Sequence, residues 1–115
     1  MTVLIADDNA EVRRMLKALL RKIADVIVEC EDGHEAIAQY SVTQPDWVLM
    51  DVQMPRMDGL QATRAIKADW PHARIVIVTN YNDVGFRAEA LAAGACDYVL
   101  KENLRTLRQL LASAQ

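Results

Sequence analysis

Five residues with polar side chains each follow a short apolar run in this chain: Asp7 and Asp8, Asp51, Thr79, and Lys101. If the runs are neighbouring parallel strands, their carboxyl ends meet at one edge of a sheet and these side chains share a pocket. Three carboxylates, a hydroxyl and an ammonium group match what a divalent metal ion and a phosphoryl group require. The spacing therefore predicts a site for metal-dependent phosphoryl chemistry.

The crowding of the carboxylates indicates which cation the pocket would take. Like charges in a small site repel one another, so a buried acidic cluster without a cation would have raised pKa values. Mg²⁺ relieves this repulsion, because it prefers oxygen ligands and uses one or two carboxylates together with a phosphate oxygen. The histidines, His34 and His72, lie elsewhere in the sequence, which disfavours a zinc site.

Asp51 is the candidate nucleophile, because it ends the run predicted to form the central strand. A carboxylate can attack phosphorus to give an aspartyl phosphate, and catalysis of that transfer is mostly positioning and charge neutralisation. Lys101 would supply a second positive charge from the fifth strand. The Thr79 hydroxyl would donate a hydrogen bond to a phosphoryl oxygen from the fourth strand.

Short apolar runs alternate with helical patterns along the chain. Runs that are mostly rich in valine and isoleucine predict strands at 2–6, 26–30, 46–51, 75–79 and 97–101. Apolar spacings of three and four, with capping residues, predict helices over 12–23, 33–42, 59–68, 83–93 and from about 103. Five βα units predict an α/β fold, a doubly wound parallel sheet in the order 2-1-3-4-5, as in the flavodoxin-like three-layer sandwich. Its ligand-binding switch point lies between strands 1 and 3.

The first predicted helix has two distinct faces. Its apolar stripe repeats at helical spacing, and Asn9 is a plausible N-cap. Basic residues fill the opposite face, namely Arg13, Arg14, Lys17 and Arg21. Such a face is usually a solvated helix surface, and we predict that here.

Length and composition favour one cytoplasmic domain. The 115 residues, 52% of them hydrophobic and 25% charged, suffice for a single core and predict one domain over 1–115. The net charge of −3 disfavours nucleic-acid binding by this chain, because phosphate backbones select basic surfaces. The sequence has no apolar run of the roughly 18 residues that span a bilayer, and no signal peptide precedes the first strand. We therefore expect no membrane insertion.

Together these motifs resemble the response regulator receiver domain, the CheY-like family of two-component signalling. The resemblance covers essentially the whole chain. It rests on the segment Ala6-Asp7-Asp8, the run from Met50 to Leu60 around Asp51, Thr79, the segment from Gly94 to Tyr98, and Lys101. Each motif is weak alone, but their order and βα spacing are specific together.

The resemblance implies how the site would work. Asp51 would accept a phosphoryl group from a sensor histidine kinase. Asp7 or Asp8 would hold Mg²⁺ together with Asp51, and the backbone carbonyl of Gln53 would complete the metal site. Such a protein is a signalling switch rather than a conventional enzyme, because it catalyses only its own phosphoryl transfer and slow autodephosphorylation.

The resemblance also implies a conformational switch made by Thr79 and Tyr98. Thr79 would move toward the phosphoryl group, and Tyr98 would rotate inward to fill the vacated space. The phosphoryl group would thereby favour one of two existing states, and partners would read the changed surface. Members of the family commonly form homodimers on activation, and we expect the same here.

Two positions depart from the common family pattern. Glu102 follows Lys101 where many receivers have proline, which is more similar to NarL/FixJ-type (LuxR-family) regulators. Full-length chains of that type carry a C-terminal helix-turn-helix DNA-binding domain, so the output would be transcription through a domain beyond this chain. Asn80 follows Thr79 where the family usually has a small residue, and we predict that it slows phosphoryl exchange.

Two other functions are alternatives to the signalling switch. A Mg²⁺-dependent phosphatase with an aspartate nucleophile usually has a second aspartate two residues later, where this chain has Gln53. A receiver-like module that binds partners without phosphorylation is the remaining alternative. The joint presence of the acidic residues, the threonine and the lysine argues against it.

Overall fold

The chain forms a parallel sheet with helices on both faces. In the computed structural model, which describes residues 1–81 and 83–113, the strands are β1 (Thr2–Ala6), β2 (Val26–Cys30), β3 (Trp47–Met50), β4 (Ile75–Thr79) and β5 (Asp97–Leu100). The helices are α1 (Ala10–Leu20), α2 (Gly33–Thr43), α3 (Gly59–Asp69), α4 (Val84–Ala93) and α5 (Leu104–Ser113), and a 3-10 turn, Lys101–Asn103, joins β5 to α5. The single-domain prediction also includes residues 82, 114 and 115, which lie outside the described residues.

The strand order is β2-β1-β3-β4-β5, as predicted for a doubly wound sheet. All the paired strands are parallel. The register between β1 and β3 places Ala6 opposite Met50, so the residues that follow these two strands emerge side by side. The predicted switch point between strands 1 and 3 is therefore confirmed.

The core consists of two apolar layers, one on each face of the sheet. One layer contains side chains of α1 and α5, among them Leu16, Leu20, Leu107 and Leu111. The other contains side chains of α2, α3 and α4, among them Ala36, Tyr40, Leu60, Ile66 and Ala90. All residues of β3 and β4 are buried, which explains why their sequences show no polar alternation.

Local sequence signals set most of the helix ends. The side chain of Asn9 accepts hydrogen bonds from the first backbone N–H groups of α1, and Gly94 ends α4 with a φ of 110°. The helix α1 ends at Leu20 rather than at Ile23, because Ile23 N–H donates to the Leu20 carbonyl and tightens the last turn. The apolar pattern thus continues beyond the residue where the helix ends, because it reflects burial rather than helical conformation.

The helices of the described residues are short. Each contains 10 or 11 residues. Within the described ranges, none is both long and apolar enough to cross a membrane.

Candidate functional site

The acidic centre lies where β1 and β3 end. Asp51 N–H donates to the Ala6 carbonyl at 2.9 Å, which continues the pairing of β3 with β1 and brings Asp51 beside Asp7. Both carboxylates are buried, with 2% of Asp7 and 7% of Asp51 exposed, whereas Asp8 is exposed. One carboxylate oxygen from each of the three residues lies within 4.8 Å of the others. This all-oxygen donor set fits a hard divalent cation such as Mg²⁺.

Lys101 places a cation between the two buried carboxylates. Its Nζ lies 2.9 Å from Asp7 Oδ2 and 3.5 Å from Asp51 Oδ1. Main-chain donors hold the other contacts, because Asn9 N–H donates to Asp7 Oδ1 at 2.8 Å and Val52 N–H donates to Asp51 Oδ1 at 2.9 Å. Lys101 and these main-chain N–H groups therefore hold the two buried carboxylates in place.

The charges of this centre perturb one another. Burial raises the pKa of the Asp51 carboxyl to about 6, and the neighbouring Asp7 charge adds to this, while Lys101 opposes it. Burial works to lower the pKa of Lys101, but its hydrogen bond to Asp7 and the charges of both aspartates raise it above the ordinary value. The lysine is thus charged at neutral pH. The carboxylates together still outnumber it, so the pocket favours a further cation.

The acidic centre opens into a cleft of about 730 Å³. The predicted residues Gln53, Thr79 and Lys101 line it, as does Asn80. The other lining residues come from the same strand ends and loops: Asp7, Asp8, Asn9, Asp51, Met54, Pro55, Asp58 and Tyr81. The fold therefore brings together every predicted site residue except Tyr98, in a cleft large enough for a phosphoryl group.

Thr79 and Tyr98 are linked through the main chain of Tyr81. Thr79 is fully buried, and its hydroxyl oxygen accepts a hydrogen bond from Tyr81 N–H at 3.2 Å. The hydroxyl of Tyr98 donates to the Tyr81 carbonyl. Tyr98 is only 4% exposed, so its ring is buried in this structure. Tyr81 also stacks on Phe86, with ring centroids 5.2 Å apart, which ties the loop to α4.

The start of α3 fixes the main chain of Asp51. Asp58 caps α3 and forms a capping box with Gln61, and Gly59 N–H donates to the Val52 carbonyl at 2.8 Å. A Cβ atom on Gly59 would lie 1.8 Å from the Asp51 carbonyl oxygen. Only glycine allows so close an approach. The sequence does not reveal this close approach, because Asp-Gly equally predicts an ordinary turn.

A second set of contacts holds the same loop, and the sequence did not predict it. The Arg56 guanidinium, at a residue with a φ of 65°, pairs with the buried Asp32 carboxylate, which also caps α2. Gly33 N–H donates to the Met57 carbonyl at 3.1 Å. These contacts hold the loop after β3 against α2. They join residues 24 positions apart, so no local signal could have predicted them.

Fold and acidic site together define a receiver domain of the two-component type, and comparison with known proteins agrees. The family model of the response regulator receiver domain matches residues 3–112. The chain therefore belongs to the response regulator receiver family, and its relatives include the chemotaxis protein CheY and transcriptional regulators.

The chain is 39% identical over 104 residues to the uncharacterized transcriptional regulatory protein YxjL of Bacillus subtilis, covering 89% of this chain and 48% of that protein. It is 38% identical over 100 residues to chemotaxis protein CheY of the same species, covering 86% and 83%. A solved two-component response regulator of the LuxR family, from Aurantimonas sp. SI85-9A1, superposes with a TM-score of 0.88 at 30% identity, covering 99% of this chain and 86% of that one. The chain thus spans about half the length of the transcriptional relative.

Proposed function

We propose that this chain is a phosphorylation-dependent receiver switch in which Asp51 accepts a phosphoryl group from a sensor histidine kinase. The observation that carries the proposal is the placement of Asp51 beside Asp7, Asp8 and Lys101 at the floor of an open cleft. A carboxylate so placed can attack phosphorus, with cations nearby to offset the charge that develops.

The surrounding residues would bind the metal ion and the phosphoryl group. Asp7, Asp8 and Asp51, with the backbone carbonyl of Gln53, would hold Mg²⁺. The bound ion would neutralise charge on the carboxylates and on the phosphoryl oxygens. Lys101 lies within ion-pair distance of Asp51 and would bind a phosphoryl oxygen.

The conformational change would be transmitted from the cleft to the surface through Thr79 and Tyr98. The Thr79 hydroxyl would move to donate a hydrogen bond to a phosphoryl oxygen, in exchange for the contact in which it accepts from Tyr81 N–H. Because the Tyr81 carbonyl accepts from Tyr98, this exchange would change how the loop before α4 holds the tyrosine ring. A ligand that prefers one of these arrangements shifts their populations.

The output would lie beyond this chain. We propose that phosphorylation favours a homodimer and controls transcription through a DNA-binding domain, in keeping with the greater length of the transcriptional relative. The net charge of −3 disfavours direct DNA binding by the receiver itself. The setting would be the cytoplasm.

Acetyl phosphate provides the test of the acceptor. Incubation with acetyl phosphate and Mg²⁺ should add one phosphoryl group to the wild-type chain by intact mass. The adduct should be absent without Mg²⁺ and absent from Asp51→Asn. Sedimentation of the same samples should show a dimer only where the adduct forms.

The opposite result has a specific meaning. If wild type shows no adduct and also fails to form a beryllium fluoride complex, the chain is a partner-binding module that works without phosphorylation. An adduct that persists in Asp51→Asn would instead place the acceptor at another residue.

A further inference from the structure

Arg13 does not behave like the other basic residues of α1. The sequence predicts a solvated basic face, yet the Arg13 side chain is only 12% exposed, whereas that of Arg14 is 69% exposed and that of Lys17 is 43% exposed. Burying a guanidinium is costly unless its donors are satisfied. The Arg13 guanidinium must therefore have hydrogen-bond partners that offset the cost of its burial.

The guanidinium joins α1 to the ends of two strands. Its Nη1 donates to the main-chain carbonyl of Asp7 at 2.6 Å, and its Nε donates to Glu29 Oε1 at 3.0 Å. Its Nη2 lies 3.6 Å from Glu31 Oε1. The planar fork of arginine can reach these acceptors at once, which a single ammonium group cannot do in the same geometry.

The Asp7 carbonyl belongs to the peptide that carries Asp8. Within residues 1–81 and 83–113, the exposed Asp8 carboxylate forms no hydrogen bond or ion pair, so no side-chain partner holds it and its position follows from its main chain. The Asp7 side chain, by contrast, is held by Asn9 N–H and by Lys101. An anchor on the Asp7 carbonyl therefore acts mainly on where the Asp8 oxygens point.

We propose that Arg13 is a positioning residue that fixes the Asp7–Asp8 peptide and so orients Asp8 for the divalent cation. The inference rests on the proposed metal site. Outer groups that orient metal ligands commonly change metal affinity when they are removed. Glu29 and Glu31 hold the guanidinium in turn, so the end of β2 supports the same ligand.

Charge repulsion alone predicts the opposite change in metal affinity, so the experiment can distinguish the two explanations. Removing a nearby positive charge should tighten the binding of a cation, because one repulsion disappears. Removing an anchor should weaken binding, because Asp8 then samples unproductive orientations. The sign of the change in metal affinity therefore separates a positioning role from a mere charge.

The experiment is a titration of the metal-free chain with Mn²⁺, followed by loss of the electron paramagnetic resonance signal of the free ion. Arg13→Gln should weaken Mn²⁺ binding about tenfold, which is typical of a lost orienting group. Arg13→Lys should fail to restore it, because the ammonium lacks the fork. Lys17→Gln is the matched control, since Lys17 also binds Glu29, at 3.0 Å, without an Asp7 contact.

Each outcome either supports or overturns the positioning role of Arg13. Weaker binding in both Arg13 variants, with Lys17→Gln unchanged or slightly tighter, supports the proposal. Unchanged or tighter binding in Arg13→Gln, or full recovery in Arg13→Lys, overturns it. Thermal melting without metal identifies any variant that is not folded at the titration temperature, and the other Arg13 variant then carries the test. A wild-type chain that binds no Mn²⁺ refutes the metal site itself, and this inference with it.

Discussion

At the scale of single residues, the site is defined by an imbalance of charge. Lys101 is shared between Asp7 and Asp51 at 2.9 and 3.5 Å, while Asp8 adds a third carboxylate nearby. One ammonium group cannot offset three carboxylates. A divalent cation would restore the balance, and this charge deficit is the physical reason for the proposed metal requirement.

Asn80 offers a test of access to the phosphoryl group. It is exposed, lines the cleft and directly follows Thr79. We predict that Asn80→Ala raises the rate of dephosphorylation several-fold, because a smaller side chain leaves more room for the attacking water. Phosphoryl loss is measured by intact mass after removal of acetyl phosphate. Asn103→Ala, an exposed asparagine outside this cleft, is the control. Equal rates in wild type and Asn80→Ala would reject the role of Asn80.

At the scale of elements, the packing of α3 against the end of β3 positions Asp51. The capping box at Asp58 fixes where α3 begins, and Gly59 then lies directly against the main chain of Asp51. The pair of Arg56 and Asp32 holds the same loop to α2. Asp51 is thus supported by two helices whose starts are both fixed by aspartate caps.

Two glycines allow this packing to be measured. Gly59→Ala places a Cβ 1.8 Å from the Asp51 carbonyl oxygen, so the main chain must shift, at a cost of about 2 kcal/mol or more in the free energy of unfolding. It should also reduce phosphorylation of Asp51. In Gly85→Ala, the new Cβ meets only a side-chain oxygen of Asp83, so stability should change by less than about 1 kcal/mol. Urea unfolding of both variants provides the comparison. Similar stabilities would show that the contact at Gly59 relaxes without cost.

At the scale of the whole molecule, the buried charge of Asp51 lowers the stability of the metal-free fold at neutral pH. The folded state holds a proton on Asp51 more tightly than the unfolded chain, because burial and Asp7 raise the pKa of this carboxyl to about 6. Between about pH 4 and pH 6, the folded state therefore binds more protons, and stability falls as the pH rises. Above that window, the buried charge is a constant cost.

Asp51→Asn tests this cost on global stability. In the absence of divalent cations at pH 8, the variant should be more stable than wild type by about 1–2 kcal/mol, a figure reduced from the full shift because the site faces solvent. The difference should shrink as the pH falls through 6 and nearly vanish below 4. Asp69→Asn, at the exposed last residue of α3, is the matched control for the loss of a carboxylate.

Magnesium should reverse the order of stabilities. At about 100 times its dissociation constant, a ligand that binds only the folded state adds about 2.7 kcal/mol, and the variant should gain far less of this. Chemical unfolding followed across pH, with and without Mg²⁺, measures both effects. A variant that is less stable than wild type at pH 8 without metal would contradict the account of Asp51.

Patterns in the amino-acid sequence were enough to predict the fold and the residues that line the site. Apolar runs and helical spacings are local signals, and the right-handed βα connection leaves few ways to assemble them, so the strand order was predictable. The residues that follow the strands then had to meet at one edge of the sheet. Asp7, Asp8, Asp51 and Lys101 meet there, although their roles in phosphorylation and metal binding stay predictions.

The side chains that support the site could not be predicted, because they are brought together by packing between distant elements. Three contacts each depend on how two elements are placed in space. They are the hydrogen bond from Arg13 to the Asp7 carbonyl, the ion pair of Arg56 with Asp32, and the hydrogen bond from Tyr98 to the Tyr81 carbonyl. A helical pattern shows which face is polar, but it cannot show that one arginine of that face reaches a strand end. Such contacts join distant segments, and their geometry is set by packing rather than by local sequence.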